Sequence, residues 1–263
     1  MTKYVEMLRV HMQSALVFQA DTLIGALLSL VQVLVSLILW RAVIADRPEI
    51  GGYTLPMLVS YYVAVAFLTR ASQTERVTNE LTDDIVSGKY VKYTVRPVNP
   101  LACFIAGTVG ATLARFVVNL LGLAVALAVF SRYMAFRNLQ NVALAVVLWA
   151  GGLLAVALFN YVIGLLAFWF TDVGGLFVLK DNLVLFLAGS LIPLDLLPGG
   201  VRHVVSWLPF GYLAFEPARL LVTGSLSTGL NPALLLPAWI AGLWLVASGL
   251  QRLAIRKFDA VGI

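Results

Sequence analysis

The chain holds one cysteine, Cys103, and two histidines, His11 and His203. A lone thiol forms neither an intramolecular disulfide nor a Cys-based metal cluster. The two imidazoles are far apart in sequence, and no H-E-x-x-H occurs, so no metal site is expected. Charge is scarce as well, at 12% of residues, roughly half of what a soluble domain carries. No G-x-x-x-x-G-K-[ST] is present. Gly88–Lys89 lacks both the earlier glycine and the Ser/Thr that would touch magnesium, so this chain binds no ATP through a P-loop. Gly189–Ser190 with His203 brings a serine hydrolase to mind, but no G-x-S-x-G elbow occurs and a small packing site is the plainer reading. The ten-residue alternation of a membrane barrel is missing. Residues 1–20 also lack the compact apolar core and small-residue cleavage site of a signal peptide. No catalytic residue and no bound cofactor is expected.

What the chain has is apolar length. Hydrophobic residues make up 61% of the 263, and several runs approach the ~20 residues that cross a hydrocarbon core as helix. The fold class read from this is an all-α membrane protein with six transmembrane helices, near residues 22–45, 54–72, 102–130, 142–170, 183–197 and 232–250. A short polar turn at 171–182, with Asp172, Lys180 and Asp181, precedes the fifth, which starts earlier if Leu176 to Leu179 belong to it. Residues 1–20 alternate in the manner of an interfacial helix, with Lys3 and Arg9 toward headgroups. Gly151, Gly152 and Gly164 permit close helix contact in the fourth span. Pro193, Pro198, Pro209 and Pro217 break the region 198–220 into short re-entrant helices, which are tolerated only against protein or water.

An even number of spans puts both termini on one face of the membrane. That face gathers Lys3, Arg9, Arg70, Arg76, Lys89, Lys92, Arg96, Lys180, Arg252, Arg256 and Lys257. The other holds Arg41, Arg47, Arg132, Arg137, Arg202 and Arg219. By the positive-inside rule the richer face, with both termini, is cytoplasmic. The net charge of +5 therefore speaks of topology and anionic lipid, not of nucleic acid.

The longest polar interruption, residues 75–100, falls on that face. Val77, Leu81 and Ile85 recur on one side of a short helix. Thr78 is the expected cap, Glu80, Asp83 and Asp84 follow, and Gly88 is the expected left-handed stop. Residues 90–96 lack a helical period, and Pro97 and Pro100 bar regular helix. An amphipathic helix between two spans is expected to lay its stripe on lipid or on a protein partner, and the partner is the working expectation. Arg115 lies among apolar neighbours, either as a charge on a substrate path or as a snorkelling residue of a helix that starts late. Glu216 and Arg219 are spaced to pair across one helical turn, as a gate brace or a screened surface pair. Asp195, Arg202 and His203 belong to the same outward rim, with no role assigned.

Three stretches together carry a likeness to a known family. They are SGKYVKYTVRPVNP, the Phe168–Trp169 pair that closes the fourth span, and the run IPLDLLP…LPF…EPARLLVTG. In their order, the chain resembles the membrane subunit of a type-2 ATP-binding-cassette transporter, of the exporter-like, stand-alone bacterial permease kind. The resemblance implies a coupling helix that contacts a separate ATPase subunit, with Val77, Glu80, Leu81, Asp84, Ile85, Gly88, Arg96 and Pro97 as its coupling residues. It implies ATP and magnesium on that partner, a second permease in a homodimer or paralogous heterodimer, and a cytoplasmic-membrane location. The importer loop E-A-A-x-x-x-G ending in I-x-L-P is absent. Two other readings stand beside it, a secondary transporter and a non-transporting membrane assembly subunit. Cargo is not legible.

Overall fold

The structure is a computed structural model that describes residues 19–45, 47–94, 98–136, 139–170, 173–227 and 231–260. The expected interfacial helix at 1–20 falls almost wholly outside them, as do Arg96 and Pro97. The described chain is helical: α1 (Gln19–Ile44), α2 (Leu55–Ala71), α3 (Glu75–Val86), α4 (Val91–Thr94), α5 (Pro100–Val129), α6 (Val142–Leu165), α7 (Gly174–Leu187), α8 (Gly199–Ser206), α9 (Phe215–Thr223) and α10 (Pro232–Ala260). Four stretches are long and apolar enough to cross a membrane: Leu55–Val86, Pro100–Val129, Val142–Phe168 and Pro232–Arg256.

The long helices start and stop where their residues dictate. Pro100 occupies the first turn of α5, where its missing N–H costs nothing, and Asn99 before it is extended. α6 is the hub, packing against α10, α3, α9 and the 3₁₀ segment Pro209–Leu213. Glycine makes this closeness possible. A Cβ on Gly152 would collide with the Tyr212–Leu213 backbone, and one on Gly164 would stand 2.9 Å from a Leu81 methyl. Small residues at such positions let helices approach where no hydrophobic force between them exists in lipid.

The second span and the short helix after it fall close to where the sequence puts them. α2 ends at Ala71, Ser72 turns extended (φ −71°, ψ 131°), and α3 starts at Glu75 and packs beside α6. Where the fifth span is expected, at 183–197 or from Leu176 to Leu179 onward, the helix takes the earlier start, from Gly174, and ends sooner, at Leu187. Its 14 residues reach about 21 Å, short of a ~30 Å core.

The chain breaks just after α7, where Gly189 adopts φ 74°. Carbonyls released there would have no water inside a bilayer. Tyr61 donates to the Gly189 carbonyl at 2.6 Å and Tyr62 to the Leu191 carbonyl at 2.8 Å. The short elements α8, 3₁₀ Pro209–Leu213 and α9 follow, as the prolines foretold, with Phe210, Leu213, Phe215 and Ala218 buried in the main core. Replacing Tyr61 with Phe leaves the buried Gly189 carbonyl unpaired, at about 1–3 kcal/mol. Thermal unfolding of the detergent-solubilised protein should show a clear fall in Tm, and an unchanged Tm would remove this explanation of the break.

Candidate functional site

The candidate functional side chains gather at the two ends of the bundle. The first end is built by α3. This helix starts at Glu75, preceded by Thr74, so Thr78 lies within it and does not cap it. Val77 and Leu81 are fully buried, and Ile85 packs beside them, in a core with Tyr90, Leu101, Phe104, Tyr161 and Leu165. The apolar stripe is therefore spent on the chain's own α5 and α6, not offered to a partner. Burying a leucine is worth about 1.5–3 kcal/mol, and α6 provides the surface because Gly164 leaves room. What α3 leaves open is its other edge: Asn79, Asp83 and, at its end, Val86, Ser87, Gly88 and Lys89. Val86 is 70% exposed.

The other residues expected in coupling divide by position. Gly88 is the left-handed stop (φ 72°). Glu80 is ion-paired with Arg76 one turn back along α3. Asp84 is nearly buried and accepts from Tyr93 at 3.0 Å and from Lys92 at 2.6 Å. With the Tyr90 N–H on its own carbonyl at 2.8 Å, Asp84 fastens the segment after α3. Tyr90 stacks edge-on to Phe168 at 5.1 Å. The run after α3, expected without helix, contains the short turn α4 and is tied down by these contacts.

Lys180 was expected in the short polar turn before the fifth span; it lies instead in α7 with its side chain 2% exposed. It donates to Asn160 Oδ1 at 3.0 Å and Thr78 Oγ1 at 3.3 Å, and pairs with Asp181 at 2.6 Å. Nothing in the sequence distinguished it, because its acceptors come from two other helices. Arg115 is half-buried in α5. Since α5 begins at Pro100, a late helix start does not account for its position. It shares an electrostatic neighbourhood with Glu75, Lys180 and Asp181.

The opposite end centres on Asp195, to which the sequence assigned nothing. Arg219 donates to it from Nε at 2.6 Å and Tyr53 from its hydroxyl at 2.9 Å. Arg202 pairs with its other oxygen at 3.4 Å. Gly51 and Gly52, both at positive φ, form the hairpin turn that brings Tyr53 back against Ile50 and so aims it. Burial, then the Asp195 carboxylate, holds the Tyr53 phenol far above its ordinary range, so it stays a donor. Glu216 and Arg219 do not pair with each other as expected. Glu216 accepts from the Ser227 N–H at 3.1 Å and from its hydroxyl, while Arg219 goes to Asp195 and the Ser225 carbonyl. Cavities of about 340 and 470 Å³ flank the node, and Asp195 and Arg202 line both. No group of three His, Cys, Asp or Glu able to hold a metal occurs among the described residues.

A double-mutant cycle separates the two pairings. Asp195→Asn with Arg219→Gln should show a coupling energy of about 1–3 kcal/mol in thermal unfolding, while Glu216→Gln with Arg219→Gln should add within about 0.5 kcal/mol. The reverse ranking would restore the pair across one turn.

No curated protein matches the chain significantly. A family model described as ABC-2 family transporter protein matches residues 30–262. That range takes in all the helices from α2 onward and both ends described above. The chain belongs to the ABC-2 transporter family, as a membrane-embedded permease subunit.

Proposed function

We propose that this chain is the membrane-spanning subunit of an ATP-driven exporter, working as a dimer of permeases beside a separate ATPase subunit. α1, and α7 together with the chain after it to residue 197, complete six crossings, with both termini in the cytoplasm and the protein in the cytoplasmic membrane, as the charge asymmetry supports. ATP and magnesium belong to the partner. The observation that carries the reading is the division of labour on α3. One face is seated on α6, while the edge running from Asn79 to Lys89 is open and ends on exposed Val86.

A lever needs both properties. A helix free on all sides would absorb motion by moving alone, and one buried on all sides would offer no docking surface. α3 is anchored through Val77 and Leu81, stiffened at and beyond its end by Asp84, Tyr90 and Tyr93, and joined to α2 by the short break after Ala71. Of the residues expected to couple, Gly88 belongs to the docking edge. Val77, Leu81, Ile85 and Asp84 hold the lever itself. At the far end, the Asp195 node with Arg219 and Arg202 closes the outward segment as a gate. Arg115, half-buried in α5, is a charge on the substrate path.

The test uses the chain co-expressed with its cassette ATPase. Val86→Asp should leave the Tm of the permease unchanged and weaken ATPase co-purification, by on the order of 30-fold if Val86 is an interface anchor worth ~2 kcal/mol. Leu81→Asp should lower both Tm and co-purification, because it puts a carboxylate in the chain's own core. Full co-purification with Val86→Asp would overturn the reading of α3.

A further inference from the structure

α7 is joined to the rest of the bundle in an unusual way. Lys180 is its one fully buried residue, while Val178, Leu179, Leu183 and Leu185 are exposed. The second half of the helix rests on the main core through Val184 and Leu187. The first half is held by an ammonium.

That ammonium is fully employed. Its three donors meet Asn160 Oδ1 on α6, Thr78 Oγ1 on α3 and Asp181 on α7 itself. Thr78 in turn donates to the Asn160 backbone carbonyl at 3.0 Å, so α3, α6 and α7 meet in one closed polar node. Burying a charge at such a depth is costly, and a well-packed apolar residue of like size usually serves stability as well or better. A stability role does not account for a lysine there. Directional bonds do something a methionine does not: they fix α7 to one register on α3. At its other end α7 stops at Gly189, whose left-handed backbone (φ 74°) marks the bend into the broken segment that carries Asp195.

We propose that Lys180 is a positioning residue for transport, pinning α7 to α3 so that displacement of α3 by the ATPase is passed along α7 to the bend at Gly189. The inference rests on the reading of α3 as the docking lever and adds the route by which its motion leaves.

The experiment labels a reporter cysteine, Asn182→Cys in a Cys103→Ser background, on the exposed flank of α7. Maleimide labelling rates are compared in the permease–ATPase complex without nucleotide and after trapping with ATP and vanadate. With Lys180 present the two rates should differ severalfold. In Lys180→Met, co-purification and ATP hydrolysis should persist while the ratio of rates falls to near one, and Lys180→Arg should restore part of it. Thr78→Val, which removes one acceptor and keeps the ammonium, should give an intermediate ratio and serves if the methionine variant is not recovered in the membrane. A nucleotide-dependent ratio unchanged in Lys180→Met and Thr78→Val, or absent with Lys180 in place, overturns the proposal. Failure of any ATPase to co-purify with the reporter chain would instead count against the docking reading itself.

Discussion

Leu81 lies over Gly164 so closely that a side chain on the glycine would press on its methyl at 2.9 Å. Much of the described structure follows from that approach. With α3 drawn against α6, Thr78 reaches the Asn160 carbonyl one turn away, and Lys180 of α7 finds both of them. Val77 completes the seat, and Tyr90 and Phe104 close over it. An amphipathic helix is driven to such a seat by its apolar stripe, and the glycine sets how close it comes.

The second constraint is the backbone. Buried backbone outside a helix must hand its carbonyls to protein, and the chain just after α7 does so at Gly189 and Leu191 through Tyr61 and Tyr62 of α2. This makes α2 the neighbour of both ends of the bundle, leading into α3 at one end and satisfying the broken segment at the other. The Asp195 node repeats the logic for side chains: one carboxylate gathers Tyr53, Arg202 and Arg219 from three separate elements.

Legibility in the sequence followed the range of the interactions. The long apolar runs of α5, α6 and α10, the glycine stop at Gly88, the packing role of Gly152 and Gly164 and the proline-broken helices before α10 all rest on local or periodic signals, and the structure has them. The stripe Val77–Leu81–Ile85 was visible, but periodicity says only that a face is buried, not against what. Lys180 sat in a run that reads as a short polar turn, and its acceptors Thr78 and Asn160 are 102 and 20 residues away. Asp195 was equally mute, because Tyr53 lies 142 residues from it. Glu216 and Arg219 were paired by a rule of spacing that two nearer partners, Ser227 and Asp195, override. Local rules place elements; charged side chains far from their partners in sequence escape them.

The account turns on α3 being seated in the bundle before any partner arrives. Hydrogen–deuterium exchange on the permease alone, in lipid nanodiscs, tests this most directly. The account predicts that backbone amides of Val77 to Ile85 are protected to the same degree as those of α6 around Asn160 to Leu165. Exchange of the α3 amides as fast as in a frayed surface helix, with protection appearing only when the ATPase is added, would contradict it.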